Sequence, residues 1–220
     1  MAILEINVSE DLNAAIAIFV KTPGLSPLKT RLAAGIGEEK ALGFYNLSVR
    51  AVEAVVKSVD MHGVWAVAEE EGAEQWSSFE ALWTGDGGLG ERQYHIYQTL
   101  LEKHEKVILI GADAPQMSPE ILNEAIAALD SHEFVIGPAH DGGYALFGGR
   151  VPVAQEIWKS VTWSAETTQA EFESALPLKP FCLRFLTDVD EVVDLQAVVK
   201  EMPDDMNDAQ RELVEWIEKL

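Results

Sequence analysis

The sequence predicts an α/β fold: a mostly parallel sheet, helices on both faces and one antiparallel insertion. Three observations carry this. Short apolar runs rich in β-branched residues end abruptly in Gly, Pro or Asp, as at 107–111 and 14–20. Such runs mark strands buried on both faces, which is the signature of parallel sheets. Amphipathic segments of helical spacing alternate with them, as βαβ units require. The chain has 220 residues, 48% of them apolar, enough for one large core.

In order, a short mixed stretch precedes the first strand, residues 14–20. A loop follows from Lys21 to Arg31, where Pro23, Gly24 and Pro27 forbid regular structure. Residues 38–59 read as a helix with Leu42, Tyr45, Val49, Val52 and Val56 on one stripe. Residues 63–68 form the next strand, and Glu69 to Glu71 a solvated edge. From Trp76 to Gly90 the chain is irregular at its end, Leu-Trp-Thr-Gly-Asp-Gly-Gly-Leu-Gly, before a helix over 91–104. The strand at 107–110 ends in Gly111-Ala-Asp-Ala-Pro115. Ser118, Pro119 and Glu120 then open a helix to about Leu129 as cap, first-turn proline and dipole partner. A strand at 134–137 turns through Asp141-Gly-Gly143 into an antiparallel return over 144–147. Short helices are expected at 153–158 and up to 176, the second with Ser164 as a possible cap. A last strand at 180–186 delivers Asp188 and Asp190 to a helix over 192–202. A tail helix puts Leu213, Val214, Ile217 and Leu220 on one face, to pack on the domain. No repeat or linker divides the chain, so residues 1–220 are expected to form a single domain.

Composition excludes several functions. The formal net charge is −21, which argues against nucleic acid or an anionic membrane as partner. No apolar run reaches the ~20 residues of a membrane span. The N-terminus lacks the basic start of a secretory signal. Cys182 is alone and sits in an apolar run, where a small buried hydrophobe is expected. A cytoplasmic location fits these features. No G-x-S-x-G elbow is present, so a serine hydrolase is not expected. Against the acidic background, residues 12–37 hold no acid at all, although at the chain's average density they would hold about four. The same stretch holds Lys21, Lys29 and Arg31. A solvated loop could have this composition by chance; an anion site accounts for it better. Neither the GxxxxGK[ST] nor the GxGxxG pattern occurs.

Carboxylates stand at other strand ends. Asp113 follows the strand at 107–110, where ligands of open α/β sheets sit. It could bind a divalent cation that holds phosphates, or merely shape the turn. Asp188 and Asp190 could reach one metal, or cap the next helix. His140 and Asp141 fit turn chemistry as well as catalysis. Arg92, after the glycine-rich loop, is a possible anion contact, with a plain linker as the alternative. Lys21, Lys29 and Arg31, Asp113, Asp141, and Asp188 with Asp190 come from four separate loops after strand ends. If the loops share one rim, cations and carboxylates lie side by side, which suits a phosphorylated ligand held by basic side chains and by a metal such as Mg²⁺ or Mn²⁺.

Several motifs stand in one order: Lys-Thr-Pro-Gly-Leu-Ser-Pro-Leu-Lys-Thr-Arg-Leu (21–32), Gly-Gly-Leu-Gly-Glu-Arg (87–92), Gly-Ala-Asp-Ala-Pro (111–115), Gly-Pro-Ala-His-Asp-Gly-Gly-Tyr (137–144), Thr-Trp-Ser (162–164) and Asp-Val-Asp (188–190). On these the chain resembles the bacterial DUF2064 family, also called radical-SAM/selenodomain-associated transferase 1. That family is similar to nucleotide-diphospho-sugar transferases of the GT-A fold. The resemblance implies a single GT-A-like (Rossmann-like) domain and a nucleotide-dependent transferase. Its partners would be a nucleotide or nucleotide-sugar and a small-molecule acceptor. Either a sugar moves from a nucleotide-sugar, or a nucleotidyl group moves from a triphosphate with release of pyrophosphate. A non-catalytic binder that kept the fold is the alternative. By position, Lys21, Lys29 and Arg31 would hold phosphates, and Leu89 and Gly90 would lie near base or ribose. Asp113 would be the metal-binding acid, and Asp188 or Asp190 a second metal contact. Asp141, Gly142, Gly143 and Tyr144 would line the acceptor side.

Overall fold

A computed structural model describes residues 13–220; the mixed stretch expected before the first strand lies outside the described residues. The chain runs β1 (Ala14–Val20), α1 (Thr30–Ile36), α2 (Glu38–Lys57), β2 (His62–Val67), a 3-10 turn (Glu70–Gln75), β3 (Glu80–Trp83) and α3 (Leu89–Leu101). It continues β4 (Lys106–Gly111), α4 (Pro119–Ala128), β5 (Phe134–Pro138), β6 (Tyr144–Gly149), α5 (Gln155–Ser160), α6 (Thr168–Ala175), β7 (Phe181–Cys182), α7 (Val192–Glu201) and α8 (Asp208–Glu218). The strands form one sheet in the order β3-β2-β1-β4-β6-β5-β7. All pairs are parallel except those of β6, which runs antiparallel to both β4 and β5. This is the mixed α/β sheet the sequence predicts.

The two faces of β1 explain why its sequence is apolar throughout. Ile16, Ile18 and Val20 point into one core layer with Val52 and Val56 of α2 and Ile121 and Leu122 of α4. Ala15 and Ala17 point into the other, with Ile96 and Tyr97 of α3, Trp158 and Phe172. A third cluster joins α1, α2, α7 and α8 through Leu32, Phe44, Leu195, Leu213 and Ile217. Ser118 caps α4 as expected, its Oγ accepting from the Ile121 amide at 3.4 Å, with Pro119 in the first turn. No described helix is long and apolar enough to cross a membrane.

Several expectations are corrected. Helix α2 buries two faces, so Phe44 and Leu47 are inside while Leu42 is exposed. Glu70 and Glu71 are exposed as expected but open a 3-10 turn, and Glu69 before it is half-buried and accepts from the Thr22 amide at 2.7 Å. Burial raises the Glu69 pKa, but hydrogen bonds from Ser26 and Thr22 outweigh it and hold the group below its usual range. Strand β3, where no strand is expected, runs two residues into the stretch read as irregular. Helix α1 begins inside the expected loop. The strand expected over 180–186 shrinks to Phe181–Cys182 plus a bridge from Leu186 to Ala139. Cys182 is exposed rather than buried. Ser164 does not cap α6: it has a left-handed φ of 60°, and Thr167 holds the cap position. In α8, Leu213 and Ile217 are buried, but Leu220 is exposed.

Candidate functional site

The sheet reverses its winding between β1 and β4: β2 and β3 lie on one side of β1, and β4 on the other. Loops leaving β1 and β4 therefore diverge and open a crevice at their carboxyl ends, the usual ligand position of open α/β sheets. The loop after β1 carries the cationic residues and the loop after β4 carries Asp113. Tyr45 of α2 pins the first loop, its hydroxyl accepting from the Lys21 amide and donating to the Lys21 carbonyl, both at 2.8 Å. Burial raises the Tyr45 pKa far above its ordinary value, so the clamp stays neutral.

Lys29 is the pivot. It precedes α1 in a left-handed conformation, φ 45° and ψ 47°, which is costly for a long side chain and is associated with functional sites. That turn sends the side chain inward, where only 5% of it is exposed. Its ammonium lies 2.9 Å from Asp113, 3.5 Å from Asp190 and 3.8 Å from Asp188, and donates to the Val189 carbonyl at 2.7 Å. Burial alone would lower the Lys29 pKa; the three carboxylates outweigh it and raise the group, so it is charged at neutral pH. Arg31, 63% exposed, pairs with Asp190. Val189 donates its amide to the Asp113 carbonyl at 3.3 Å, tying the two acid-bearing loops together.

The acids outnumber the cations. Asp141, Asp188 and Asp190 offer oxygens within 4.8 Å of one another. With Asp113 they make four carboxylates against the Lys29 and Arg31 charges. Burial first, then Asp113, push Asp188 up to about 7, with Asp190 and Asp141 adding to the rise and Lys29 opposing it. One Asp188 oxygen, Oδ1, is buried with no hydrogen-bond partner. An orphaned acceptor, hard oxygen donors and a deficit of two positive charges fit a divalent cation. Asp113, read above as the metal acid, is engaged by Lys29. Asp141, read above on the acceptor side, joins the group that can share a metal.

Two connected lobes open on this cluster. The first, about 590 Å³, is lined by Lys21, Lys29, Arg31, Arg92, Leu89 and Asp113, over a floor from β1, β2 and β4. The second, about 540 Å³, is lined by Asp141, Gly142, Gly143, Tyr144, Asp188 and Asp190, among others. Arg31, Leu89, Gln93, Tyr144, Ser164 and Asp190 face both lobes. Gly90 is beside the first lobe but is buried, and a Cβ there would lie 2.5 Å from the Trp158 carbonyl and 2.2 Å from Trp163 Nε1. Its smallness lets α3 approach that segment. Arg92 is held by the Gly87 carbonyl at 3.1 Å. Gly142 turns at φ 89°.

The sequence reading missed the supports. Gln93 accepts from the Tyr144 hydroxyl at 2.7 Å; burial drives the Tyr144 pKa well above normal despite that bond. Glu201 accepts from the Thr187 amide at 2.8 Å, the Thr187 hydroxyl at 2.6 Å and Gln116 at 2.9 Å, fixing the strand end before Asp188. Gln210 of α8 donates to the Pro115 and Met117 carbonyls at 2.8 and 2.9 Å, holding the loop after Asp113. Gln210→Ala would leave two buried carbonyls short of a partner. It is expected to cost ~1–3 kcal/mol in urea unfolding.

The mixed sheet and its crevice are shared with a nucleotide-diphospho-sugar transferase-like structure. A protein from Desulfovibrio desulfuricans G20, provisionally named a nucleotide-diphospho-sugar transferase, is 25% identical, with a TM-score of 0.82 over 94% of this chain and 97% of that one. Two further structures share the fold: a 4-diphosphocytidyl-2C-methyl-D-erythritol synthase from Anaerococcus prevotii (10% identity, TM-score 0.52, 86% and 97% covered) and a cytidylyltransferase from Leptospira borgpetersenii (14%, 0.51, 94% and 94%). No functionally curated protein matches the sequence. Residues 48–165 match the family described as an uncharacterized protein conserved in bacteria, DUF2064, and the chain belongs to that family.

Proposed function

We propose that this protein, acting as one domain, is a metal-assisted transferase that takes an activated nucleotide in the cationic lobe and an acceptor in the acidic lobe. The observation that carries this reading is the junction: both lobes open on the Lys29–Asp113–Asp188–Asp190 cluster, where a bond between donor and acceptor would be exchanged. Lys21, Lys29, Arg31 and Arg92 face the donor phosphates, with Leu89 beside the base or ribose. Asp141, Asp188 and Asp190 would hold Mg²⁺ or Mn²⁺, which would supply positive charge to the leaving phosphate. Lys29 and Arg31 add fixed positive charge beside it. Gly142, Gly143 and Tyr144 shape the acceptor wall, and the packed lobes hold the reactants together.

Glycosyl transfer from a nucleotide-sugar is the first reading, because the Desulfovibrio relative is named for that chemistry. The acceptor oxygen would bond to the anomeric carbon as the carbon–oxygen bond to the diphosphate breaks, and the hydroxyl proton would leave to solvent. Nucleotidyl transfer is the second, favoured by the number of cations lining the donor lobe. Calorimetric titration with triphosphates and nucleotide-sugars, each with and without Mg²⁺ or Mn²⁺, separates them. Metal-dependent binding of a nucleotide-sugar directs the assay to sugar transfer, and of a triphosphate to pyrophosphate release. No binding of any member by folded protein overturns the proposal. Asp113→Asn tests catalysis against mere binding. Turnover is expected to fall ~100-fold or more, with the fold retained because Asp188 and Asp190 still face Lys29. A non-catalytic binder would have no turnover to lose.

A further inference from the structure

The two lobes differ in chemistry as well as in position. Four cations, Lys21, Lys29, Arg31 and Arg92, line the donor lobe against two acids, Asp113 and Asp190. In the acceptor lobe the one fixed cation is Arg31, already paired with Asp190, beside the His140 imidazole, whose Nε2 lies 3.6 Å from Glu201. Its acids are Asp141, Glu166, Asp188 and Asp190.

Hydrogen-bonding capacity is just as one-sided. The Gly142 amide donates to the Ala139 carbonyl at 3.2 Å and the Gly143 amide to Asp141 Oδ1 at 2.9 Å. The Ala165 amide donates to Thr168 Oγ1 at 3.1 Å, and that hydroxyl has the Thr162 and Ala165 carbonyls at 2.8 Å. Trp163 Nε1 donates to the Trp158 carbonyl at 2.8 Å, and the Tyr144 hydroxyl to Gln93. These donors are spent within the protein. What the wall still offers is the neutral Ser164 hydroxyl and Gln93 amide and, beyond them, acceptor capacity: ionised carboxylates only accept, and Asp188 Oδ1, 3.8 Å from the Lys29 ammonium, has no hydrogen-bond partner.

A phosphomonoester is also acceptor-rich and anionic, so it would meet this wall like against like. A divalent cation on Asp141, Asp188 and Asp190 would balance the four-acid cluster together with Lys29 and Arg31. It would leave Glu166 over and no surplus positive charge. A compound that brings hydroxyl donors and no charge matches the wall. The volume, about 540 Å³, admits a compound of sugar size.

We propose that the acceptor of this transferase is an uncharged polyhydroxyl compound, bound through its hydroxyls to the acidic lobe, and not a phosphorylated one. This rests on the assignment of the first lobe to the nucleotide. It names the attacking group as an alcohol under either transfer chemistry.

The test uses the full chain with Mg²⁺ and whichever nucleoside diphosphate or triphosphate binds by calorimetry. Ligand-observed NMR then compares matched pairs: glycerol with glycerol phosphate, glucose with glucose phosphate, inositol with inositol phosphate. The neutral member of at least one pair is expected to bind about tenfold or more tighter than its phosphate. Glu166→Gln is expected to narrow that ratio by improving the phosphate. Equal or tighter binding of the phosphates, or binding of no neutral polyol by protein that does hold its nucleotide, overturns the inference and leaves the transferase reading standing. Failure of every nucleotide to bind overturns both.

Discussion

Lys29→Met is expected to destabilise the metal-free protein by ~3–5 kcal/mol and to reduce transfer by about a thousandfold or more. The stability loss follows from what remains. Lys29 is a buried cation within 4 Å of three carboxylates and on the Val189 carbonyl, and methionine would fill its volume while leaving those groups facing each other. Removing one partner of a buried ion pair costs far more than the pair contributes, because the other charge is stranded. Mg²⁺ or Mn²⁺ supplies positive charge to the same cluster, so it should return part of the lost stability, and the metal-induced rise in Tm should be larger in the variant than in the wild type. Urea unfolding with and without metal reads both effects. Equal stability of variant and wild type would mean that the Lys29 ammonium is not the counter-charge of the cluster. In sign, Lys29 has a raised folded pKa, so its contribution is complete below its ordinary pKa of 10.5 and is lost as pH rises through the folded value.

The parts of the fold visible in the sequence are those whose periodicity is fixed by burial on both sides of an element. Strands β1 and β4 lie between neighbours in the middle of the sheet, so each residue meets a core layer and the apolar run is unbroken. β3 is different. It pairs only with β2, at an edge, and its four residues are at best half-buried, so packing imposed no pattern to read. Helix α1 buries Leu32 alone and contains Gly35, whose missing Cβ makes room for Val192 of α7. It packs on α2 and α7 through that one apolar residue and a glycine, so no apolar stripe marks it in the sequence. Cys182 was misplaced because 180–186 looked like a full strand. Val135 and Ile136 pair with Phe181 and Cys182, and the segment after them rejoins the sheet at the Leu186–Ala139 bridge.

The candidate site was legible as a set of loops and not as a geometry. Cations missing their usual acidic neighbours marked residues 21–31, and carboxylates after apolar runs marked Asp113 and Asp188. Which acid faces which cation depends on the left-handed turn at Lys29, a conformation that a lysine codon does not announce. The supports were illegible for another reason. Gln93, Glu201 and Gln210 lie inside helical stretches, where a polar residue on the inner stripe looks like a break in the pattern until its distant partner is known, and Tyr45 fits its apolar stripe so well that nothing marks its hydroxyl. Each bonds backbone or side chain at least 14 residues away in sequence.

Asp188→Asn is expected to make the metal-free protein more stable and to remove its use. Asp188 is pushed up to about 7 from 3.8, by burial and then by neighbouring acids. A group raised in the folded state contributes stability that is fully present below its unfolded pKa and is lost as pH climbs through the folded one. The wild type should therefore lose stability between about pH 4 and 7 on account of this carboxylate. Asparagine keeps the shape without the charge, so the variant should be ~1–3 kcal/mol more stable than wild type at pH 8, a figure discounted for solvent screening. The difference should vanish below pH 4, where the wild-type group is itself neutral. Divalent-metal binding should weaken by a factor of ~100 or more, since one of three gathered oxygen donors loses its charge. Thermal melts from pH 4 to 8, with and without Mn²⁺, measure both quantities on one sample. A variant less stable than wild type at pH 8, or one that binds metal unchanged, would contradict the reading. Stability given up at Asp188 in the empty protein and recovered when a cation binds is what a carboxylate held ready for a metal requires, because a site relaxed without its ligand has less free energy to gain from taking one.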